Sequence, residues 1–303
     1  LGANTTGQNN VAVGRQALQA NTTAAYNVAV GDQALYGNTS GAQNTVIGGL
    51  AMFHNTTGMN NVAIGVEAVK LNTTGSNNIG IGAGALDANT TADNNTAVGH
   101  AALTANTTGA ASTAVGFQSL NSNTTGDQNT GCGNNTLRDN TTGQYNTAVG
   151  TQALINNTTA NNNTGLGAFA LQVNTTGTQN VAVGTYALDA NTTADNNTAC
   201  GYNALTANTT GSGNTTVGKD SLKSNTTGGF NSALGHECMA LNINGSSNVA
   251  MGDFTLRSNT SGSSNTAIGA SSLNANTTAS NNTAVGKSAL NQNTTGQYNV
   301  AVG

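Results

Sequence analysis

Proline is absent from this 303-residue sequence and charged residues make up only 6% of it, whereas glycine accounts for 40 residues. This composition is not that of an ordinary globular enzyme. Disordered chains usually contain proline, many charges and no regular apolar spacing, but the apolar residues here recur at fixed intervals. The composition therefore indicates a repetitive, ordered chain.

Basic residues are few: seven are scattered singly along the chain against 11 acidic residues, and the formal net charge is -4. Nucleic-acid binding is not expected, because it requires a clustered basic face. No window approaches the roughly 18 consecutive apolar residues of a membrane span, so none is predicted. The repeats begin and end in mid-copy, which predicts a fragment of a longer fibre chain.

The motif Asn-Thr-Thr starts at Asn4 and recurs, with small variations, at a constant 17-residue period to Asn293, without insertion or deletion. A fixed period of this kind is typical of solenoid proteins. We expect one continuous array over residues 1–303 and number each copy from its first Asn, so that Asn4 occupies position 1. The copy 4–20 then reads N-T-T-G-Q-N-N-V-A-V-G-R-Q-A-L-Q-A.

Positions 10 and 15 are apolar in the successive copies, which predicts that both columns fill the core. Core residues predicted from this pattern include Val13, Leu18, Val98 and Leu103. Position 11 is Gly in every copy. A Gly at the same position of every copy predicts a turn at Gly14 and Gly99, where either a positive φ or a close approach of two backbones requires glycine.

Positions 7 to 10 are rich in β-branched residues and predict a short strand, and positions 13 to 16 predict a second one. A helix is excluded, because Gly and Asn-Thr-Thr recur too often to leave a long apolar stretch. The predicted fold is all-β, a parallel β-solenoid or β-roll of about 18 coils, each formed by one 17-residue repeat. In such a stack, the Asn residues at positions 1 and 7 form vertical amide ladders.

Two large apolar side chains per coil are too few to offset the conformational entropy of ordering the whole repeat. Stacking on neighbouring coils supplies part of the missing stability. Winding with identical chains around a shared axis would supply more, so the sequence favours an assembly over a single chain.

Segments such as Asn10–Gly14 (N-V-A-V-G) and Asn61–Gly65 (N-V-A-I-G) resemble the YadA-like head repeats of trimeric autotransporter adhesins. The fuller repeat is also similar to repeats of bacterial surface fibres and phage tail fibres, and the resemblance covers the whole chain. It implies a left-handed parallel β-roll, assembled as a homotrimer, with one strand column facing the three-fold axis. It also implies a location on a cell or virion surface, outside the cell.

Candidate chemical groups are sparse, and we expect no catalytic, cofactor-binding or metal site. The histidines His54, His100 and His236 lie in well separated copies, so no set of metal ligands is expected to converge. The pair His236-Glu237 is interpreted as two solvated loop residues. All 11 aromatic residues occupy the variable positions 6, 12, 13 and 16, which predicts that they lie outside, where they could contact a glycan or receptor.

The three cysteines are predicted to be buried free thiols. Cys132 and Cys200 occupy the predicted core position 10, and Cys238 occupies the small position 14. Four coils of separation, about 19 Å, would prevent Cys132 and Cys200 from bridging within one chain.

Three functions remain open at this stage. The preferred one is a structural extracellular fibre or adhesin shaft that gives reach and surface display, with attachment to a host or surface through its outer residues. An ice-binding solenoid is a second, because Thr recurs at positions 2, 3 and often 8. A glycan-coated filament is a third, because Asn-Thr-Thr is an N-glycosylation acceptor. The candidate glycosylation sites are Asn4, Asn21, Asn38, Asn55, Asn72 and Asn89.

Overall fold

The computed structural model describes residues 1–303 and contains 18 strands connected by turns, with no helix. The chain forms two compact units, Leu1–Ala148 and Val149–Gly303. Each copy of the repeat contributes one strand of three residues. The strands are β1 (Val11–Val13), β2 (Val28–Val30), β3 (Thr45–Ile47), β4 (Val62–Ile64), β5 (Ile79–Ile81), β6 (Thr96–Val98), β7 (Thr113–Val115), β8 (Thr130–Cys132), β9 (Thr147–Val149), β10 (Thr164–Leu166), β11 (Val181–Val183), β12 (Thr198–Cys200), β13 (Thr215–Val217), β14 (Ser232–Leu234), β15 (Val249–Met251), β16 (Thr266–Ile268), β17 (Thr283–Val285) and β18 (Val300–Val302).

Parallel pairing in sequence order links the strands of each unit. In the first unit, β1 to β8 pair consecutively, and in the second unit β10 to β18 do so. The register is one full repeat, with Val11 opposite Val28 and Thr164 opposite Val181. The predicted parallel β-solenoid, with one 17-residue repeat per coil, is therefore confirmed.

Each coil contains one strand, at positions 8 to 10, so the prediction of a second strand at positions 13 to 16 is wrong. Positions 12 to 17 form turns. Their backbone groups still bond from coil to coil: Leu18 N–H donates to Ala34 C=O at 3.0 Å, and Gln33 N–H donates to Arg15 C=O at 2.8 Å. Turns can therefore stack in register as strands do, because each one finds its backbone partners in the neighbouring copies.

The strand directs position 9 inward and positions 8 and 10 outward, as the alternation of side chains along a strand requires. Ala29 and Ala97 at position 9 are fully buried. Val13 at position 10 is 57% exposed and Val98 is half-buried. The prediction that position 10 fills the core is thus wrong for the single chain, because the opposite wall of the coil already occupies the interior.

That opposite wall is formed by position 15. Leu18 and Leu103 are fully buried, as predicted. Position 14 adds a small buried side chain, such as Ala34. The interior of most coils therefore holds one large apolar residue, two small residues and, at positions 1 and 7, two buried asparagines such as Asn21 and Asn27.

Residues with positive φ recur at positions 6, 13 and 15 of nearly every coil, among them Asn9, Gln16 and Leu18. A left-handed conformation at a non-glycine residue costs on the order of 1 kcal/mol, and short polar residues tolerate it best. Leucine at position 15 has no such tolerance. Its complete burial offsets the strain, since burying a leucine side chain contributes about 1.5–3 kcal/mol.

Position 11 is the turn predicted from the sequence. Gly14 has φ 130° and Gly99 has φ 140°, a conformation that L side chains rarely adopt. A Cβ atom on Gly99 would also overlap the carbonyl group of Gly116, the equivalent residue of the next coil. Glycine is therefore required at this position by both the backbone conformation and the stacking of coils.

Candidate functional site

Two columns of buried asparagine run through each unit, and they form the predicted amide ladders. At position 1, Asn38 Nδ2 donates to Oδ1 of Asn21 in the preceding coil at 3.1 Å and to the carbonyl of Gly41 in its own coil at 2.9 Å. Both amide hydrogens are thus used. The Oδ1 of Asn38 in turn accepts a hydrogen bond from Asn55 at 2.8 Å.

At position 7, the backbone N–H of Asn44 donates to Oδ1 of Asn27 at 2.9 Å. Asn27 Nδ2 reaches forward to the carbonyl of Gly41 at 2.9 Å. The position-4 carbonyl therefore accepts hydrogen bonds from both asparagine columns, which joins the two ladders into one network. Ser112, the substituted copy at position 7, donates its N–H to Asn95 but supplies only a hydroxyl oxygen to Asn129 N–H.

This network bears directly on the candidate glycosylation sites. Asn21, Asn38, Asn55, Asn72 and Asn89 are all fully buried, and only Asn4, in the first coil, is exposed. N-linked glycosylation replaces a hydrogen on Nδ2 and needs space around it. The folded coil offers neither a free hydrogen nor space at the five buried residues.

The threonine columns differ in how their hydroxyl groups are used. At position 2, Thr22 Oγ1 donates to the carbonyl of Thr39 at 3.2 Å, and Thr56 Oγ1 does the same to Thr73 at 3.0 Å. Position 3, for example Thr23, is exposed. A flat ice-binding grid needs neighbouring columns of available hydroxyl groups, and here the hydroxyl donors of position 2 are engaged within the protein.

The outward-facing residues of the strands form an apolar surface along each unit. In the first unit, position 10 presents a row from Val13 to Cys132, and in the second unit a row from Val149 to Val302. Of the cysteines, Cys132 is exposed and Cys200 is half-buried, so the prediction that both are core thiols is wrong. Position 8 adds Val, Ile, Thr or Ser beside this row. We call the outward residues of positions 8 and 10 the strand face.

A shallow depression of about 200 Å³ interrupts the strand face in the second unit. Its lining includes Val217, Leu234 and Met251 at position 10 and Ser232 at position 8. Ser232 is the only serine among the position-8 residues. The short serine side chain opens this depression between the larger residues around it.

Cys238 is the one cysteine that is buried as predicted. Its Sγ lies 3.4 Å from the carbonyl oxygen of Ala250, to which it donates. Burial raises the pKa of the Cys238 thiol to about 12. The thiolate required for redox chemistry or metal binding is therefore disfavoured at this position.

Aromatic side chains lie outside, as predicted, but several are stacked in pairs. Tyr36 stacks on Phe53 with ring centroids 5.0 Å apart, and Phe169 stacks on Tyr186 at 5.1 Å. Tyr202 adds an edge contact to Tyr186 at 6.3 Å. The members of each stacked pair occupy the same position of consecutive copies, a signal already present in the 17-residue spacing.

His54 and His100 are exposed on the outer turns, and His100 stacks on Phe117 with ring centroids 5.6 Å apart. His236 has different surroundings. Its side chain meets the carboxylates of Asp220 and Glu237, and the potential ligand atoms of the three residues lie within 4.8 Å of one another. The prediction that no metal ligands converge is therefore wrong.

Arg257 completes this cluster. Its Nε donates to Oε2 of Glu237 at 2.6 Å, and this hydrogen bond holds the pKa of Glu237 below its usual value. The other carboxylate oxygen, Oε1, lies 3.9 Å from Nε2 of His236. Lys219 Nζ lies 3.7 Å from Oδ2 of Asp220.

Comparison of the chain with protein-family models and with curated proteins gives no match. No helix of the fold has the length and apolarity required to cross a membrane.

Proposed function

We propose that this chain is a structural segment of an extracellular fibre or adhesin shaft, in which identical chains associate through the strand face. The observation that carries the proposal is the outward orientation of position 10. An apolar residue occurs there in each coil, yet Val13, Ile47 and Ile81 are all more than a third exposed in the single chain.

An exposed row of this length differs from scattered surface hydrophobic residues. At about 4.8 Å per strand, the eight strands β1 to β8 carry a row roughly 35 Å long. Soluble monomers rarely expose large contiguous apolar surface, and such patches mark sites of association. Because each coil buries only one large side chain, covering the row would add a comparable amount of apolar burial per coil.

A parallel, in-register assembly suits the strand face, because the position-10 residues of the associated chains then lie at the same level along the fibre axis. Three chains around a common axis would bring the position-10 residues of one level together, in agreement with the trimer implied by the resemblance to adhesin heads. The interfaces of such a trimer are heterologous and close into a ring, and the same contact would be repeated at each coil along the fibre. Such a fibre would be located on a cell or virion surface.

The outer turns are free for display in such an assembly. The half-buried stacked pairs Tyr36–Phe53 and Phe169–Tyr186 lie on these turns. Aromatic faces are common contact points in recognition, because they supply a large apolar area at low cost in conformational entropy. We assign any adhesive contact with a glycan or receptor to these turns and assign no catalytic reaction to the chain.

Charge placed on the strand face tests the proposal. Ile81, Val98 and Val115 are replaced together by Asp, and the matched control replaces Ala83, His100 and Phe117, at position 12 of the same coils, by Asp. Aspartate occurs naturally at position 12 as Asp32 and Asp253. Native mass spectrometry should give trimers for the parent and the control and mainly monomers for the strand-face variant, because desolvating clustered carboxylates costs several kcal/mol per ion.

Far-UV circular dichroism of the same samples separates loss of assembly from loss of the coil. A parent protein that is monomeric at all accessible concentrations would refute the association. Equal masses for the two triple variants would show that the strand face is not the surface through which the chains associate.

Disulfide cross-linking at Cys132 tests how the chains are arranged in the assembly. The variant Cys200→Val, Cys238→Ala keeps Cys132 as its only thiol and uses residues found at positions 10 and 14 in other copies. Mild oxidation should then join Cys132 to Cys132 of another chain. In a trimer each disulfide joins two of three chains, so one chain stays uncrosslinked on a denaturing gel, whereas a dimer would be joined completely. Failure to cross-link would contradict the parallel register.

Ice binding stays a prediction, and the fixed hydroxyl groups at position 2 reduce its support. Thermal hysteresis of the purified chain separates the two functions, since a fibre shaft should show none.

A further inference from the structure

We propose that Asp220, His236 and Glu237 form a binding site for a divalent first-row transition-metal ion, with Zn²⁺ as the reference ion. The three side chains come from two adjacent coils of the second unit, and their potential ligand atoms lie within 4.8 Å of one another. One imidazole nitrogen with two carboxylate oxygens is a donor set suited to Zn²⁺. Ca²⁺ and Mg²⁺ prefer oxygen donors alone.

The distances are close to those that coordination requires. Ligand atoms about 2.1 Å from a tetrahedral ion are roughly 3.4 Å from each other. His236 Nε2 and Glu237 Oε1 are already 3.9 Å apart. Bringing all three pairs of donor atoms from within 4.8 Å to this spacing would shorten no distance by more than about 1.4 Å.

The backbone holds these residues in place. Asp220 and Glu237 occupy position 13 of consecutive coils, with φ 54° and 48°. Glu237 N–H donates to Lys219 C=O at 3.0 Å, and His236 N–H donates to the Asp253 carboxylate at 3.2 Å. The side chains therefore project from a stacked turn whose conformation is repeated along the unit, and not from a free loop.

Groups around the cluster orient its donors. Arg257 binds Oε2 of Glu237 and leaves Oε1 directed towards His236. The His236 ring meets Phe254 edge to face, with centroids 5.3 Å apart, which restricts its rotation. Partners of this kind orient the ligands of established metal sites.

The side chains of Asp220 and Glu237 are only 13% and 20% exposed, whereas that of His236 is 40% exposed. The two carboxylates are thus largely shielded from water, whereas the more exposed imidazole of His236 is accessible to an ion from solvent. Lys219 is 60% exposed and its contact with Asp220 is long. Because exposed ion pairs are weak, an incoming ion can displace this lysine.

The proposal is tested by titrating the tag-free, metal-stripped chain with Zn²⁺ by isothermal calorimetry and with Co²⁺ by visible absorption. We expect one ion per chain. His236→Ala, Asp220→Asn and Glu237→Gln should each weaken binding at least about tenfold. These residues suit the fold, because Ala occurs at position 12 in Ala83 and Asn and Gln occur at position 13 in Asn135 and Gln16.

His100→Ala is the matched control. His100 also occupies position 12 and also contacts a phenylalanine ring, Phe117, but it is not part of the carboxylate cluster. Its replacement should leave Zn²⁺ affinity unchanged. Absence of saturable Zn²⁺ binding, equal affinity for Mg²⁺, or equal loss in the His100 and His236 variants would overturn the proposal.

Discussion

Removal of one asparagine from the buried ladder tests what holds the coils together. Asn72 Nδ2 donates to Asn55 Oδ1 at 2.8 Å and to Gly75 C=O at 2.9 Å, and Asn72 Oδ1 accepts from Asn89 at 2.9 Å. Replacement by Ala removes all three hydrogen bonds. Gly75 C=O keeps its bond from Asn61, so the oxygen left without a donor is Asn55 Oδ1.

The expected cost can be worked from these contacts. Three neutral hydrogen bonds contribute about 1 kcal/mol each, and an unsatisfied buried acceptor adds about 1–3 kcal/mol. Asn72→Ala should therefore destabilise the surrounding coils by about 4–6 kcal/mol. Thr74→Ala, at the exposed position 3 of the same coil, is the control and should cost less than about 0.5 kcal/mol.

Asn72→Asp gives a second, independent signature. The new carboxylate has no hydrogen to donate, and it is buried. Burial raises the pKa of such a carboxyl group above its unfolded value. The folded state of this variant then binds the proton more tightly, so its stability is highest at acidic pH and falls as pH rises through the raised pKa.

Amide hydrogen exchange is the suitable assay, because repeat proteins open locally and do not follow a single two-state transition. Loss of protection should centre on the coils that contain Asn55, Asn72 and Asn89 and decline with distance along the unit. Wild-type protection in Asn72→Ala, or an equal loss in Thr74→Ala, would show that the ladder is not a source of stability.

Three further outcomes follow from single positions. Ser112→Asn should restore the missing ladder member and stabilise its coils by about 1 kcal/mol, measured by the same exchange assay. Gly99→Ala should destabilise by more than about 2 kcal/mol, because the added Cβ overlaps Gly116 at a φ of 140°. Cys238, with its pKa raised to about 12, should resist alkylation at pH 8 in the folded chain and react once the chain is unfolded.

The coil and its ladders could be predicted from sequence, because an unbroken period constrains every copy in the same way. Asparagine at positions 1 and 7 has one arrangement that satisfies its amide in a stack, and Asn38 and Asn44 adopt it. The assignment of position 15 to the core is also confirmed, since Leu18 and Leu103 are fully buried.

The orientation of position 10 could not be predicted, because a strand of three residues is too short for its alternation to show which face is inside. The apolar pattern predicted that Val98 lies in the core, whereas Val98 is half-buried and its neighbour Ala97 is fully buried. The physical reason is the limited width of the coil. A Cβ atom on Gly80, at position 9, would collide with the side chain of Val69, which fills the interior from the opposite wall.

The cluster of Asp220, His236 and Glu237 was missed for a different reason. Sequence spacing places Asp220 far from the other two, yet a separation of one full repeat means direct contact in a stack of this period. The same reading would have paired Phe169 with Tyr186. In a solenoid, residues one period apart are neighbours, so a search for sites has to compare equivalent positions of consecutive copies.

Leucine in a left-handed conformation shows why one coil is not a folding unit. Leu103 has φ 54°, which an isolated turn would avoid, and it keeps this conformation because the side chain is fully buried and its N–H donates to Ser119 in the next coil at 3.0 Å. Each coil carries the backbone strain of its own leucine, whereas the hydrogen bond that offsets this strain is made with the neighbouring coil. Stability must therefore rise with the number of stacked coils, which is the property that a long fibre requires.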